Sequence, residues 1–342
     1  MFRKSSPQKG WAHLWCYLFL ILVLTACADD TPTNESLNFR TPKPNPAQIL
    51  ITEDGAVTWK SVYTLTSEGD IVKDISCPTL DDCYAVTLQQ KLIITHDSGI
   101  SWQATTSAPS ASFIRISCPA KDICYGLSNS GVQATRNAGS DWSWMLLTSQ
   151  NNSFQAINCP GLNLCFVAGT DGFIASTTDA GSKWKQNKVE PDTRFWDISC
   201  SSEVNCIAVG NKAKTGGVNV PITAVTKDGW KTWTSTEAPG WFYTVECVNE
   251  STCFALSDKG IRNFFKTTDK GQNWSEQKPG EIGNTFSCAN DLMCVLAGSK
   301  GNILISHDGG KNWSTHFTGI AREIDKIKCL TAQRCLVVTS VN

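Results

Sequence analysis

Histidine is scarce in this chain. Of four residues in 342, only His96, His307 and His316 follow the first 26 positions. A zinc site made of a cysteine pair plus imidazoles is poorly supplied, because zinc wants four ligands clustered in space. Runs of lysine or arginine are also missing. The formal net charge is −1, and beyond residue 26 there are 27 basic against 31 acidic side chains, a net of −4. Neither the total nor its distribution attracts nucleic acid. No long segment after the N-terminus carries an apolar period of 3.6, which excludes helical repeats. The one conspicuous apolar run, 14–26, falls short of the roughly 20 residues that span a bilayer. The remaining composition, 41 % hydrophobic and 18 % charged, suits a soluble globular chain. What is abundant is cysteine, 16 residues, and tryptophan, 13.

The first 26 residues combine Arg3, Lys4 and Lys9 with that short apolar run, the pattern of an export signal. Its end, Leu24-Thr25-Ala26-Cys27, resembles the bacterial lipobox, in which cleavage precedes an acylated cysteine. The resemblance implies a signal peptide at 1–26, lipidation of Cys27, and attachment to a membrane of the cell envelope. With Ala28 after the cysteine and acids at Asp29 and Asp30, the outer membrane is favoured over the inner. Several acyl chains anchor firmly, since each buried methylene contributes about 0.8 kcal/mol. Residues 27–48 are polar and proline-rich and read as an extended tether, reaching up to about 60 Å at roughly 3 Å per residue.

Fourteen cysteines remain once Cys16 and Cys27 are set aside: Cys77/Cys83, Cys118/Cys124, Cys159/Cys165, Cys200/Cys206, Cys247/Cys253, Cys288/Cys294 and Cys329/Cys335. Every pair is C-x5-C, and the first members are 41, 41, 41, 47, 41 and 41 residues apart. A period near 40 marks a solenoid or propeller array. After each second cysteine comes a short apolar run ("CYAVT", "CFVAG", "CLVVT"), then a turn and a further strand. The pairs sit in separate repeats behind an export signal, so structural disulfides are expected rather than metal ligation.

A second motif, [ST]-x-[DN]-x-x-x-x-W, ends the third strand of each repeat: "TEDGAVTW" (52–59), "THDSGISW" (95–102), "TRNAGSDW" (135–142), "TTDAGSKW" (177–184), "TKDGWKTW" (226–233), "TTDKGQNW" (267–274) and "SHDGGKNW" (306–313). A side-chain oxygen of the Asp or Asn accepts backbone N–H bonds in a tight turn, glycine supplies positive φ, and the tryptophan is expected to wedge between neighbouring blades. The first copy has no cysteine pair before it and the last cysteine pair has no motif after it. Joined, the two chain ends complete one repeat. The expected fold is therefore all-β: a seven-bladed β-propeller over 49–342, four strands per blade, the seventh blade closed by strands from both termini.

On that fold the disulfides and tryptophan turns share one face, so function is expected on the opposite face and at the channel mouth. Two irregularities fall there. The fourth repeat carries a longer loop between its second and third strands, 210–222, read as an insertion. The entries to the first strands read "SFIRISC", "SFQAINC", "RFWDISC" and "WFYTVEC". Phe113, Phe154, Phe195 and Phe242 recur at one register and read as core, whereas Trp196 and Tyr243 stand at the next. With Arg194, Trp241 and Arg115 they form the candidate binding set.

The tryptophan motif resembles the Asp-box of bacterial neuraminidase-type repeats, found in sialidases, xyloglucanases and sortilin-type receptors. Across roughly residues 49–342 the chain is most similar to the photosystem II assembly and stability factors, which have seven blades, "TTDGGxxW"-like turns and, in cyanobacteria, a lipid anchor. It departs from them by a C-x5-C pair in every blade. An arginine patch like that family's is not assigned by spacing among Arg115, Arg136, Arg194, Arg262 and Arg322. The resemblance implies an assembly or scaffold propeller that holds a protein partner and needs no cofactor, metal or catalytic residue. A glycan-binding propeller is the alternative. A sialidase-like hydrolase is a more distant one, because it needs an arginine triad and a tyrosine nucleophile drawn from Tyr63, Tyr84, Tyr125 and Tyr243.

Overall fold

Each repeat folds into a four-stranded antiparallel sheet, and the blades follow one another around a central channel. The computed structural model describes residues 45–105, 109–147, 153–258, 263–280 and 283–341. Cys27, the expected lipidation site, most of the expected tether and Arg262 lie outside them. Among the described residues there is no α-helix, only two 3-10 turns at Thr170–Gly172 and Ser299–Gly301. Blade one spans Val72–Ser76, Cys83–Thr87, Leu92–Thr95 and Gln103–Ala104, in that order from the channel outward. Second strands such as Cys83–Thr87, Cys165–Gly169 and Cys253–Ser257 are buried at every position, which accounts for their unbroken apolar sequence. They are covered by a blade on either side. Outer strands such as Lys185–Lys188 and Thr234–Glu237 face solvent and are polar.

Blade seven is built as the incomplete end repeats require. Its inner strands are Ile324–Cys329 and Cys335–Thr339, its outer ones Gln48–Thr52 and Lys60–Thr64. The seam is an antiparallel ladder pairing Ile49 with Val338, Leu50 with Val337, Ile51 with Leu336 and Thr52 with Cys335.

All seven expected disulfides are formed, each joining the first and second strands of one blade. They are Cys77–Cys83, Cys118–Cys124, Cys159–Cys165 and Cys200–Cys206 in blades one to four. Cys247–Cys253, Cys288–Cys294 and Cys329–Cys335 follow in blades five to seven. Each closes a loop of about seven residues, for which chain entropy gives about 2 kcal/mol. The second cysteines, Cys83, Cys124, Cys165, Cys206, Cys253, Cys294 and Cys335, are all buried. Each opens its blade's second strand, so its sulfur is sealed under the neighbouring blade. Cys124 clusters with Tyr84 and Leu92 of blade one, and Cys294 with Phe254 and Phe264 of blade five. These cysteines are staples inside the core and present no surface to a ligand.

The innermost strand of a blade pairs on one side only, leaving backbone N–H groups toward the preceding blade, and a buried N–H must find an acceptor. The side chain just before each first cysteine supplies several. The Oγ atoms of Ser76, Ser117, Ser199 and Ser287 accept from the next blade's cysteine N–H, in Cys118, Cys159, Cys247 and Cys329, at 2.9–3.1 Å. Glu246 accepts from Cys288 N–H at 2.9 Å in the same way. Two positions upstream, Asp74 and Asp197 accept from Ile116 and Val245 N–H. Side-chain bonds thus tie blade to blade at five of the boundaries around the channel.

The Asp-box turns share one hydrogen-bond pattern. In blade one, Thr95 Oγ1 donates to Asp97 Oδ1 at 2.7 Å and accepts from Gly99 N–H at 3.0 Å, while Asp97 accepts from Ser101 N–H. The fifth residue has positive φ in every copy, and at Gly99 a Cβ would stand 2.7 Å from Leu336 of blade seven. Backbone conformation and close approach together select glycine there. Trp102 packs with Leu336 and Ile51 across that blade boundary, as the sequence predicts.

Blade four differs. Its fifth position holds Trp230, at φ +65° and fully buried. Trp230 packs against blade three with Phe166 and Ile174, and its carbonyl accepts from Asn187. It takes the wedge position, and Trp233, expected to be the wedge, is left 37 % exposed. The 210–222 insertion also differs from its reading as a loop. It lengthens the strands Cys206–Ala213 and Asn219–Thr226 to eight residues each, paired as far as Ala213 with Asn219.

Two outcomes test this account. Trp230→Ala should lower the unfolding free energy by about 3–5 kcal/mol in urea titrations, whereas Trp233→Ala should change it by no more than about 0.5 kcal/mol. The Asp-box carboxylates Asp54, Asp228 and Asp308 are held at about 2 by hydrogen bonds from Thr58, Thr232 and Asn312, below the ordinary 3.8. Their folded values lie below the unfolded ones, so the stability they contribute is present above the ordinary value. It should be lost as pH falls from about 3.8 through about 2, read as a falling urea midpoint. Asn replacements at all three positions should flatten that decline.

Candidate binding groove and central channel

The first strands carry a bulge at one repeated position, four residues before the cysteine. The register slips between Val72 and Asp74, Phe113 and Arg115, Phe154 and Ala156, Phe195 and Asp197, Phe242 and Thr244, and Ile324 and Lys326. The unpaired residues are Lys73, Ile114, Gln155, Trp196, Tyr243 and Asp325. A bulge re-aims its side chain out of the alternating pattern. This is why Trp196 and Tyr243 follow neither the buried phenylalanines before them nor the channel residues after them.

Trp196 and Tyr243 line a groove between blades four and five on the face away from the disulfides, with Arg194, Asn211, Asn219, Trp241 and Asp258, and a cavity volume of about 700 Å³. The Arg194 guanidinium lies 4.8 Å from the centre of the Trp196 ring, a cation–π contact. Trp196 Nε1 donates to Asn211 Oδ1 at 2.7 Å, which fixes the indole against the lengthened hairpin. Tyr243 Oη donates to the Asn284 carbonyl of blade six at 3.0 Å. The Trp241 carbonyl accepts from Asp258 N–H at 3.1 Å. Four of the five candidate residues therefore share one groove, floored by aromatic rings and rimmed by an arginine, an aspartate and two amides. Phe195 and Phe242 beneath it are fully buried, as expected of core. Asn211, Asn219 and Asp258 were not singled out in the sequence, because their places depend on the hairpin pairing.

Arg115 is not part of that groove. It stands three residues before a cysteine, a register that faces the channel, and lines a cavity of about 370 Å³ with Asp74, Asp197, Glu246, Lys326 and Lys328. Burial pushes the Asp197 carboxyl up, opposed by the Arg115 charge and by N–H donors from Val245 and Ile198. Burial pulls the Lys326 ammonium down, opposed by Asp74. Lys328 is pushed up by Glu246, which accepts from its ammonium at 2.7 Å across an intervening blade. The channel wall thus carries three cations and three anions and is balanced within itself. Its residues occupy the third and first positions before each cysteine, an alternation of two that the sequence displays. The first cysteines Cys200 and Cys247 reach this cavity, whereas second cysteines such as Cys124 and Cys294 line neither it nor the groove. Among the described residues no group of three or more His, Cys, Asp or Glu is placed to hold a metal ion.

Tyr84 and Tyr125, two of the tyrosines a sialidase-like nucleophile would be drawn from, are fully buried. Tyr84 Oη accepts from Asp122 N–H at 2.9 Å and Tyr125 Oη donates to the Leu162 carbonyl at 3.5 Å. Both act as packing groups.

Known proteins place this geometry. A YCF48 structure with bound D1 peptide superposes with a TM-score of 0.62 at 17 % identity, covering 87 % of this chain and 97 % of that one. YCF48 from Cyanidioschyzon merolae superposes with a TM-score of 0.64 at 18 % identity, covering 83 % and 96 %. A GH74 xyloglucanase from Xanthomonas campestris has a TM-score of 0.60 at 9 % identity, covering 82 % of this chain and 55 % of the enzyme. At such identities these likenesses establish the fold alone. No curated protein sequence matches the chain. The family model described as photosynthesis system II assembly factor YCF48 matches residues 51–339, nearly the whole ring, and the chain belongs to that family.

Proposed function

We propose that this chain is an exported, lipid-anchored, non-catalytic scaffold that holds a partner protein in the groove between blades four and five. The observation that carries the reading is the set of bulge-placed aromatics, Trp196 and Tyr243, beside Arg194 and Trp241 in one concave surface. Aromatic residues and arginine are the side chains most enriched where proteins bind tightly. The family relation supports a protein ligand, since a YCF48 of similar fold was solved with a bound peptide. The packing roles of Tyr84 and Tyr125 support a non-catalytic reading. The anchor rests on Leu24-Thr25-Ala26-Cys27, with the outer membrane of the envelope as the favoured site.

Crosslinking in the native membrane followed by affinity purification tests the groove. A specific partner recovered with the wild-type chain should fall at least about tenfold, a loss of about 1.4 kcal/mol, with the Arg194, Trp196, Trp241 and Tyr243 alanine variant. Equal recovery removes the groove from the proposal. Cys27→Ser should move the protein from the membrane to the soluble fraction, and continued membrane retention would rule out the lipid anchor.

A further inference from the structure

The irregular Asp-box of blade four has a second effect, at the outer rim of the ring. Six motif tryptophans, Trp59, Trp102, Trp142, Trp184, Trp274 and Trp313, pack into clusters at blade boundaries. In blade four Trp230 fills that position from a left-handed backbone conformation, where a bulky side chain is strained. Trp233 is no longer needed as a wedge, and it belongs to no core cluster. It lines a pocket of about 580 Å³ with Thr234, Thr236, Gln272 and Lys227. That volume lies within the roughly 300–1,000 Å³ typical of small-ligand sites.

The lining has a specific chemistry. Trp233 offers an exposed indole. Around it are hydroxyls and amides, and no carboxylate side chain borders the pocket. The Thr232 hydroxyl is engaged by Asp228 and the Asn273 amide by Asp269, so these two belong to their turns. The hydroxyls of Thr234 and Thr236, the Gln272 amide and the Lys227 ammonium take no hydrogen bond or ion pair from the described protein. They can therefore donate and accept outward. An aromatic plate ringed by hydroxyls, an amide and one ammonium, with no carboxylate, suits a ligand that is apolar on its flat face and hydroxylated at its edge. A pyranose ring has that shape: C–H groups for the indole face and equatorial hydroxyls for the amides.

We propose that the Trp233 pocket binds a neutral oligosaccharide, stacking one sugar ring on the indole. The pocket is separate from the groove between blades four and five, and the inference does not rest on the protein-binding reading. The test uses saturation-transfer NMR of the full propeller with cellohexaose, laminarihexaose, maltohexaose and chitohexaose at millimolar concentration. At least one sugar should receive transfer from the wild type. Trp233→Ala should weaken its binding by about tenfold or more, and Gln272→Ala by a smaller factor. Trp144→Ala should leave it unchanged, because Trp144 is a comparably exposed tryptophan on blade two. Absence of transfer from the wild type to all four sugars, or equal binding by Trp233→Ala, overturns the proposal. Equal loss in Trp144→Ala also overturns it, since that result indicates non-specific stacking on exposed indoles.

Discussion

Four antiparallel residue pairs between the start and the end of the chain hold the ring shut. Without the pairing of 49–52 with 335–338, the sheet of blade seven would be two half-sheets, each with an open edge. Open edges invite pairing with other chains. The side-chain bonds between blades are short-range in space and long-range in sequence, each joining positions 42 or 48 residues apart. One constraint recurs through the design: inner N–H groups take their acceptors from side chains of the preceding blade. That need places Ser or Glu at five of the seven positions just before the first cysteines.

Much of the architecture could be read from the chain. The cysteine spacing and the Asp-box copies are local signals, and both translate into blades because each is a turn closed by its own residues. Pairs such as Cys118–Cys124 and Cys288–Cys294 bridge within six positions. Thr95, Asp97 and Gly99 make their bonds within five, so nothing distant can alter them. The incomplete end repeats likewise lead directly to the closing seam. Less legible were features that depend on two elements meeting. Residues 210–222 read as an inserted loop because they account for the 47-residue spacing, yet their backbone pairs continue the ladder. Trp230 and Trp233 could not be ranked as wedge and surface residue from the motif, because the space available lies in blade three. The Glu246–Lys328 pair spans 82 residues and emerges only when the ring is closed.

The groove sits between these cases. The unusual register of Trp196 and Tyr243 was visible, but its cause, a bulge repeated in six blades, was not, since a bulge is defined by the partner strand. The bulge separates three tasks along one strand. Phenylalanine before it fills the blade interface, the bulged residue faces the groove, and alternate residues after it line the channel. Arg115 belongs to the third group, which explains its separation from the other candidates.

The order of strands in blade seven also sets how the ring bears mechanical load. The first described strand, Gln48–Thr52, is not the outermost strand of its blade but lies between Cys335–Thr339 and Lys60–Thr64. Tension applied along the axis of this strand acts in shear on two ladders together rather than peeling one strand from a free margin. Ladders loaded in shear must break several hydrogen bonds at once. The ring thus resists being drawn open from the end at which the chain enters it.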